Sequence, residues 1–146
     1  MPVLYLIGSL RNPEIPLIGV HLRSLGYEVF DDWYAAGRIA DDSWRDYEIA
    51  RGHSYSQALQ GWAARHVFEF DLFHLNRADL GVLVLPAGKS CHLELGYLVG
   101  RGKPGYILLD QEWAKAKPRW DVMSLFARGG VYETLDDLSQ ALKEAL

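Results

Sequence analysis

The sequence predicts an α/β fold, a parallel sheet of about five strands with helices on both faces, from three observations. Short apolar runs recur along the chain, stretches with helical spacing lie between them, and Gly, Pro and Asn mark the changeovers. A run that is apolar at every position suits a strand covered on both sides, as in a parallel sheet.

The first run, "VLYLI" at residues 3 to 7, predicts the first strand. "GSLRNP" follows, where Asn12 is placed to cap a helix with Pro13 in its first turn. Ile15, Ile18, Leu22 and Leu25 recur on one helical face, and Gly26 ends it. "YEVF" predicts a second strand. Between about 31 and 62 no period holds, and this aromatic- and Asp-rich stretch reads as an irregular lid. A helix is expected from about Ala63 to Arg77, with Phe68, Leu72 and Leu75 as its buried stripe. "LGVLVLP", residues 80 to 86, is the strongest strand signal. A helix from about Cys91 to Val99, a strand in "GYILL", a short strand at Val131-Tyr132 and a last helix with Leu135, Leu138 and Leu142 on one face complete the chain.

The chain's 146 residues, 49% of them hydrophobic, fit one domain with a core of ordinary size. A net charge of −4 gives no basic footprint, so a nucleic-acid polymer is not an expected partner, whereas a small phosphorylated ligand needs only local donors. The single cysteine, Cys91, cannot form an internal disulfide, and "MPVLYLIGSL" has no charged leader region; both fit a cytoplasmic setting. No apolar stretch has the length of a membrane span.

"LPAGKSCHLELGYLVG", residues 85 to 100, looks like a phosphate loop. A G-x-x-x-x-G-K-[ST] loop needs a glycine at position 83, which is Leu83, so a triphosphate loop is not expected. The unusual residue is Glu94, an acid among Leu93, Leu95, Tyr97 and Leu98. Helix-dipole stabilisation would account for an acid in a first turn, but burial leaves a carboxylate short of partners unless a site uses it. Asp71, beside the apolar stripe of its own helix, poses the same problem. Two carboxylates from separate helices at one crevice can divide labour as nucleophile and proton donor. Tyr5 is by default a core aromatic whose hydroxyl can reach such a crevice.

"GSLRNP" reads either as an ordinary strand-to-helix turn or as an anion site built from backbone N–H groups, Ser9 and Arg11. Ser90 reads as a helix cap or a ligand donor, with the cap the simpler reading. Trp33 and Tyr34 belong to an aromatic set that can stack a nucleobase or pack the lid onto the domain. The five histidines show no metal-ligand spacing, and no metal is expected.

Taken in order, "YLIGSLRNP", "EFDLFHLNRADLGVLVLP" and "SCHLELGYLVGRGKP" resemble the nucleoside 2-deoxyribosyltransferase superfamily over roughly residues 3 to 110, with 31 to 62 largely unmatched. Within it, Y-x-x-G-S-[IL]-R looks most like the 2′-deoxynucleoside 5′-monophosphate N-hydrolases. The resemblance implies a flavodoxin- or Rossmann-like sheet, Glu94 as the nucleophile on C1′ of the sugar, Asp71 as the acid assisting base departure, and Tyr5 as the group orienting the glutamate. It implies that Ser9 and Arg11 hold a 5′-phosphate, with Gly8 permitting close approach. Ser90 matches less well, because it stands four positions before Glu94 where those hydrolases carry a longer, glycine-containing loop. The resemblance also implies a homodimer or larger homo-oligomer and no cofactor, with a small nucleotide or nucleoside as the partner.

The expected activity is therefore N-glycosidic hydrolysis of a (deoxy)nucleoside 5′-monophosphate. The alternatives are a nucleoside 2-deoxyribosyltransferase exchanging bases, an NAD glycohydrolase, and a nucleotide-binding module without turnover. Fold alone does not choose among them.

Overall fold

Five parallel strands form a single sheet in the order β2-β1-β3-β4-β5. The structure is a computed structural model that describes residues 1–109 and 111–146. The strands are β1 (Val3–Ile7), β2 (Glu28–Phe30), β3 (Leu80–Val84), β4 (Gly105–Leu108) and β5 (Gly130–Tyr132). Helices α1 (Ile15–Ser24), α2 (Ala40–Ala50), α3 (Tyr55–Ala58), α4 (Trp62–Arg77), α5 (Lys89–Gly100), α6 (Gln111–Lys115) and α7 (Leu135–Ala145) lie between and after them. The alternation and the all-parallel pairing are those of a flavodoxin- or Rossmann-like α/β fold.

Alternate residues of each strand feed two separate cores, because successive side chains point to opposite faces. Leu4, Leu6, Val82, Val84 and Leu108 meet Ile15, Ile18 and Leu22 of α1 and Leu138 and Leu142 of α7 on one face. Tyr5, Ile7, Leu83, Leu85 and Ile107 meet Leu75 of α4 and Cys91, Leu95 and Leu98 of α5 on the other. The second face carries both acids of interest. There α5 lies against two strand glycines: a Cβ on Gly81 would stand 2.5 Å from Leu98 Cδ1, and one on Gly105 would stand 2.7 Å from Leu95 Cδ1. Each glycine lets a leucine rest on bare backbone.

Several sequence expectations need correction. The stretch from 31 to 62 is mostly helical, with a 3-10 turn at Asp32–Ala36 followed by α2 and α3. It shows no apolar period because the buried residue of α2 is a carboxylate, Glu48, held by Arg51 at 3.1 Å and His53 at 3.3 Å. Local electrostatics support α2 in place of a greasy stripe: Asp41 and Asp42 occupy its first turn, and Asp42 pairs with Arg45. A Ser54–Gln57 capping box starts α3.

Asn12 does not cap α1. Its Oδ1 accepts the Glu14 N–H at 2.9 Å in a turn that precedes the helix, and Pro16, rather than Pro13, stands in the first turn. Phe68 is not buried but 64% exposed, since Leu75 is the one residue of α4 fully covered by the sheet. Ser90 is not a cap either: α5 begins at Lys89 after Gly88, which leaves Ser90 exposed within the first turn. Among the described residues no helix is long and apolar enough to cross a membrane.

Candidate active site

In an open parallel sheet, the loops leaving two adjacent strands part company where the strand order reverses, and a crevice opens there. In this chain that point lies between β1 and β3. The loop after β1 carries Gly8, Ser9, Arg11 and Asn12, and the loop after β3 leads into α5, which carries Glu94.

Tyr5, Asp71 and Glu94 form one electrostatic cluster although they arise from β1, α4 and α5. Tyr5 is buried beneath the helices, its ring 5.0 Å from that of Phe30. Burial raises its phenol well above the ordinary range, and the charges of Glu94 and Asp71 add to the effect. Glu94 is pushed up to about 7, chiefly by burial; a hydrogen bond from Tyr5 pulls it down, and the Asp71 charge pushes it up again. Its Oε2 is fully buried and has no hydrogen-bond partner. Asp71 is raised to about 6 by burial. Two carboxylates that titrate near neutrality beside a phenol can exchange a proton and keep one oxygen unencumbered for attack.

Cys91 sits one turn before Glu94 and closes the floor of the crevice, its Sγ donating to the Gly8 carbonyl at 3.2 Å. Its thiol is raised to about 11 by burial and then by the Glu94 charge, so it stays protonated at neutral pH. Ser90, next to Cys91 in the first turn of α5, is exposed. Gly8 packs closely on α1: a Cβ there would press on the terminal methyl of Ile15.

The turn after β1 is internally bonded. Ser9 Oγ accepts the Arg11 N–H at 3.1 Å, and the Ser9 carbonyl accepts the Asn12 N–H at 3.0 Å. Asn12 Nδ2 is buried without a partner. The Arg11 guanidinium reaches Asp42 of α2, Nη2 to Oδ2, at 3.4 Å. Trp33 leans over the end of β1 and donates its indole N–H to the Leu6 carbonyl at 2.8 Å, while its ring packs against both cores. Tyr34 meets Trp33 edge-on, at 5.9 Å between centroids, and packs against the α1 side. Both aromatics therefore serve the packing of the lid onto the sheet.

Sequence reasoning did not single out Asp41 and Asp42. The charge of Asp41 reaches Cys91, and Asp42 pairs with Arg11, so the start of α2 lies over the crevice. The signal was present as two acids in a row, but nothing in their spacing points across the chain to Arg11. A concavity of about 1910 Å³ lies beside α5, between Val99, Ile107, Trp113 and Phe126, and none of Tyr5, Asp71, Glu94 or Arg11 lines it. Among the described residues no three His, Cys, Asp or Glu side chains cluster as metal ligands.

No protein-family model matches this chain, and no curated protein matches it.

Proposed function

We propose that the protein is an N-glycosidase that hydrolyses a (deoxy)nucleoside 5′-monophosphate to free base and sugar 5-phosphate. The observation that carries this reading is the pairing of Glu94 and Asp71, two partly buried acids raised to about 7 and about 6, with Tyr5 of β1 beside them. In the first step a Glu94 oxygen bonds to C1′ as the C1′–N bond breaks, and Asp71 gives its proton to the departing base. In the second step Asp71 takes a proton from water, which attacks C1′ and returns Glu94 to a free carboxylate. Tyr5 orients the glutamate by hydrogen bonding. Arg11, Ser9 and the backbone of the turn after β1 would hold the phosphate at the start of α1, where partial positive charge favours an anion. We include in the proposal the family resemblance, a small-molecule substrate, a cytoplasmic setting and a homo-oligomer. Exposed Phe68, Phe73 and Leu93 support the last of these as apolar surface for a second copy.

A second reading, base exchange on an unphosphorylated nucleoside, is favoured by one observation: Arg11 already has an anionic partner in Asp42. Arg11→Ala separates the two. Loss of a charge-assisted phosphate contact costs about 1.5 to 3 kcal/mol, roughly one to two decades in kcat/KM. On a panel of deoxynucleoside 5′-monophosphates and the matching nucleosides, with free base measured by chromatography, Arg11→Ala should lower only the monophosphate rates. Equal losses on both, or a wild-type preference for the nucleoside, would reject monophosphate recognition in favour of the transferase.

A further inference from the structure

We infer that Asp42 is a specificity-determining residue of the crevice, a carboxylate that stands against Arg11 until a substrate phosphate displaces it. The inference rests on Arg11 as the phosphate contact, and it adds what that reading lacks: a competing charge on that contact, which tempers how strongly a phosphate is preferred over a neutral ligand.

Arg11 projects from the turn after β1, and Asp42 projects from the first turn of α2, far away in the chain. Their contact at 3.4 Å is long, and both side chains are about half exposed, 53% and 45%. An exposed pair of this kind contributes little to stability, so it is easily exchanged. A phosphate dianion offers the guanidinium shorter, bidentate, charge-assisted bonds, whereas an uncharged 5′-hydroxyl offers one weak acceptor. Arg11 therefore leaves Asp42 for a phosphate and stays with it when a nucleoside enters. The displaced carboxylate has a second cation at hand, because Asp42 Oδ1 already lies 3.5 Å from Arg45 Nη1, one turn further along α2. Position supports the same conclusion. Neighbouring Asp41 is close enough to raise the Cys91 thiol, and Cys91 is bonded to Gly8, so the start of α2 overhangs the phosphate turn.

The test compares wild type, Asp42→Asn, Arg11→Gln and the double variant. KM and kcat are measured on one deoxynucleoside 5′-monophosphate and its nucleoside, and affinity for deoxyribose 5-phosphate is measured by calorimetry. Removing one nearby negative charge in a largely solvated setting should lower the monophosphate KM and the sugar-phosphate Kd by about 3- to 10-fold. The change should fall on KM rather than kcat, spare the nucleoside, and vanish when Arg11→Gln is also present. A monophosphate KM that rises in Asp42→Asn, or that shifts equally for both substrates, overturns the inference. A separate readout covers failure of the phosphate reading itself. Arg11→Gln alone should weaken deoxyribose 5-phosphate binding by about 10- to 100-fold. Wild-type affinity in Arg11→Gln shows that Arg11 is not the phosphate contact, so the phosphate reading fails and the inference with it. Weakened binding in Arg11→Gln together with wild-type affinity in Asp42→Asn keeps Arg11 as the phosphate contact and overturns the inference alone.

Discussion

The Tyr5 phenol, on the interior strand β1, hydrogen-bonds toward the Glu94 carboxylate on α5 and holds it at about 7, below where burial alone would put it. Burial raises the glutamate, the tyrosine lowers it, and the charge of Asp71 raises it again. The balance leaves an acid that is partly ionised at neutral pH in a place where most carboxylates would be fully so.

That balance implies a conflict between stability and activity at Glu94. With Oε2 buried and unpartnered, the carboxylate carries a desolvation penalty of about 1 to 3 kcal/mol that the fold must absorb. Glu94→Gln, which keeps the shape and removes the charge, should abolish turnover and raise stability by about 1 to 2 kcal/mol in urea unfolding at pH 8. A variant with wild-type rates would remove Glu94 from the nucleophile role, and one that loses stability would show that the carboxylate supports the fold.

Asp71 should act on the leaving base. Asp71→Asn is expected to slow turnover by about 10²- to 10⁴-fold, the range for loss of a general acid. A substrate whose base leaves without needing a proton should recover part of that loss. Equal slowing on good and poor leaving groups would make Asp71 a structural acid.

Rate and stability should both respond to pH across the range set by the pair. Productive chemistry needs Glu94 ionised and Asp71 protonated, so kcat/KM should follow a narrow bell with apparent values near 6 and 7 that belong to the coupled pair. For stability, both native pKa values lie above those of the unfolded chain, roughly 4 for each acid. The folded protein thus keeps protons that the unfolded chain releases, and the stability linked to them is present below about pH 4 and lost as pH rises through about 6 and 7. Urea unfolding between pH 4.5 and 8 should show this decline, and Glu94→Gln should flatten it. A rise in stability over the same range in wild type would contradict the raised pKa values of both acids.

Much of the fold was readable because it is written in apolar period. β1, β3, α1 and α7 each bury a regular set of residues, Ile15, Ile18 and Leu22 on α1 being the clearest, and the sequence shows those sets directly. The same logic failed on α2, whose one buried residue is Glu48 and whose support comes from acids in its first turn and from ion pairs. It also failed at Phe68, which has helical spacing but lies on a part of α4 that the sheet does not cover. Glu94 and Asp71 stood out as acids in apolar surroundings. The Arg11–Asp42 contact did not, because an ion pair between distant segments leaves no local pattern in either.

Glu94 owes its depth to side chains that are missing from the floor beneath it. Leu98 and Leu95 of α5 rest on Gly81 and Gly105, where a single methyl on either strand would come within 2.5 to 2.7 Å of a leucine carbon. A methyl at either position would first displace the end of a leucine of α5, so the way the helix beds onto the sheet, and with it the reach of the carboxylate, depends on strand positions far from the reacting atoms. A chain could keep every acid, the tyrosine and the arginine in place and still present its nucleophile at the wrong height.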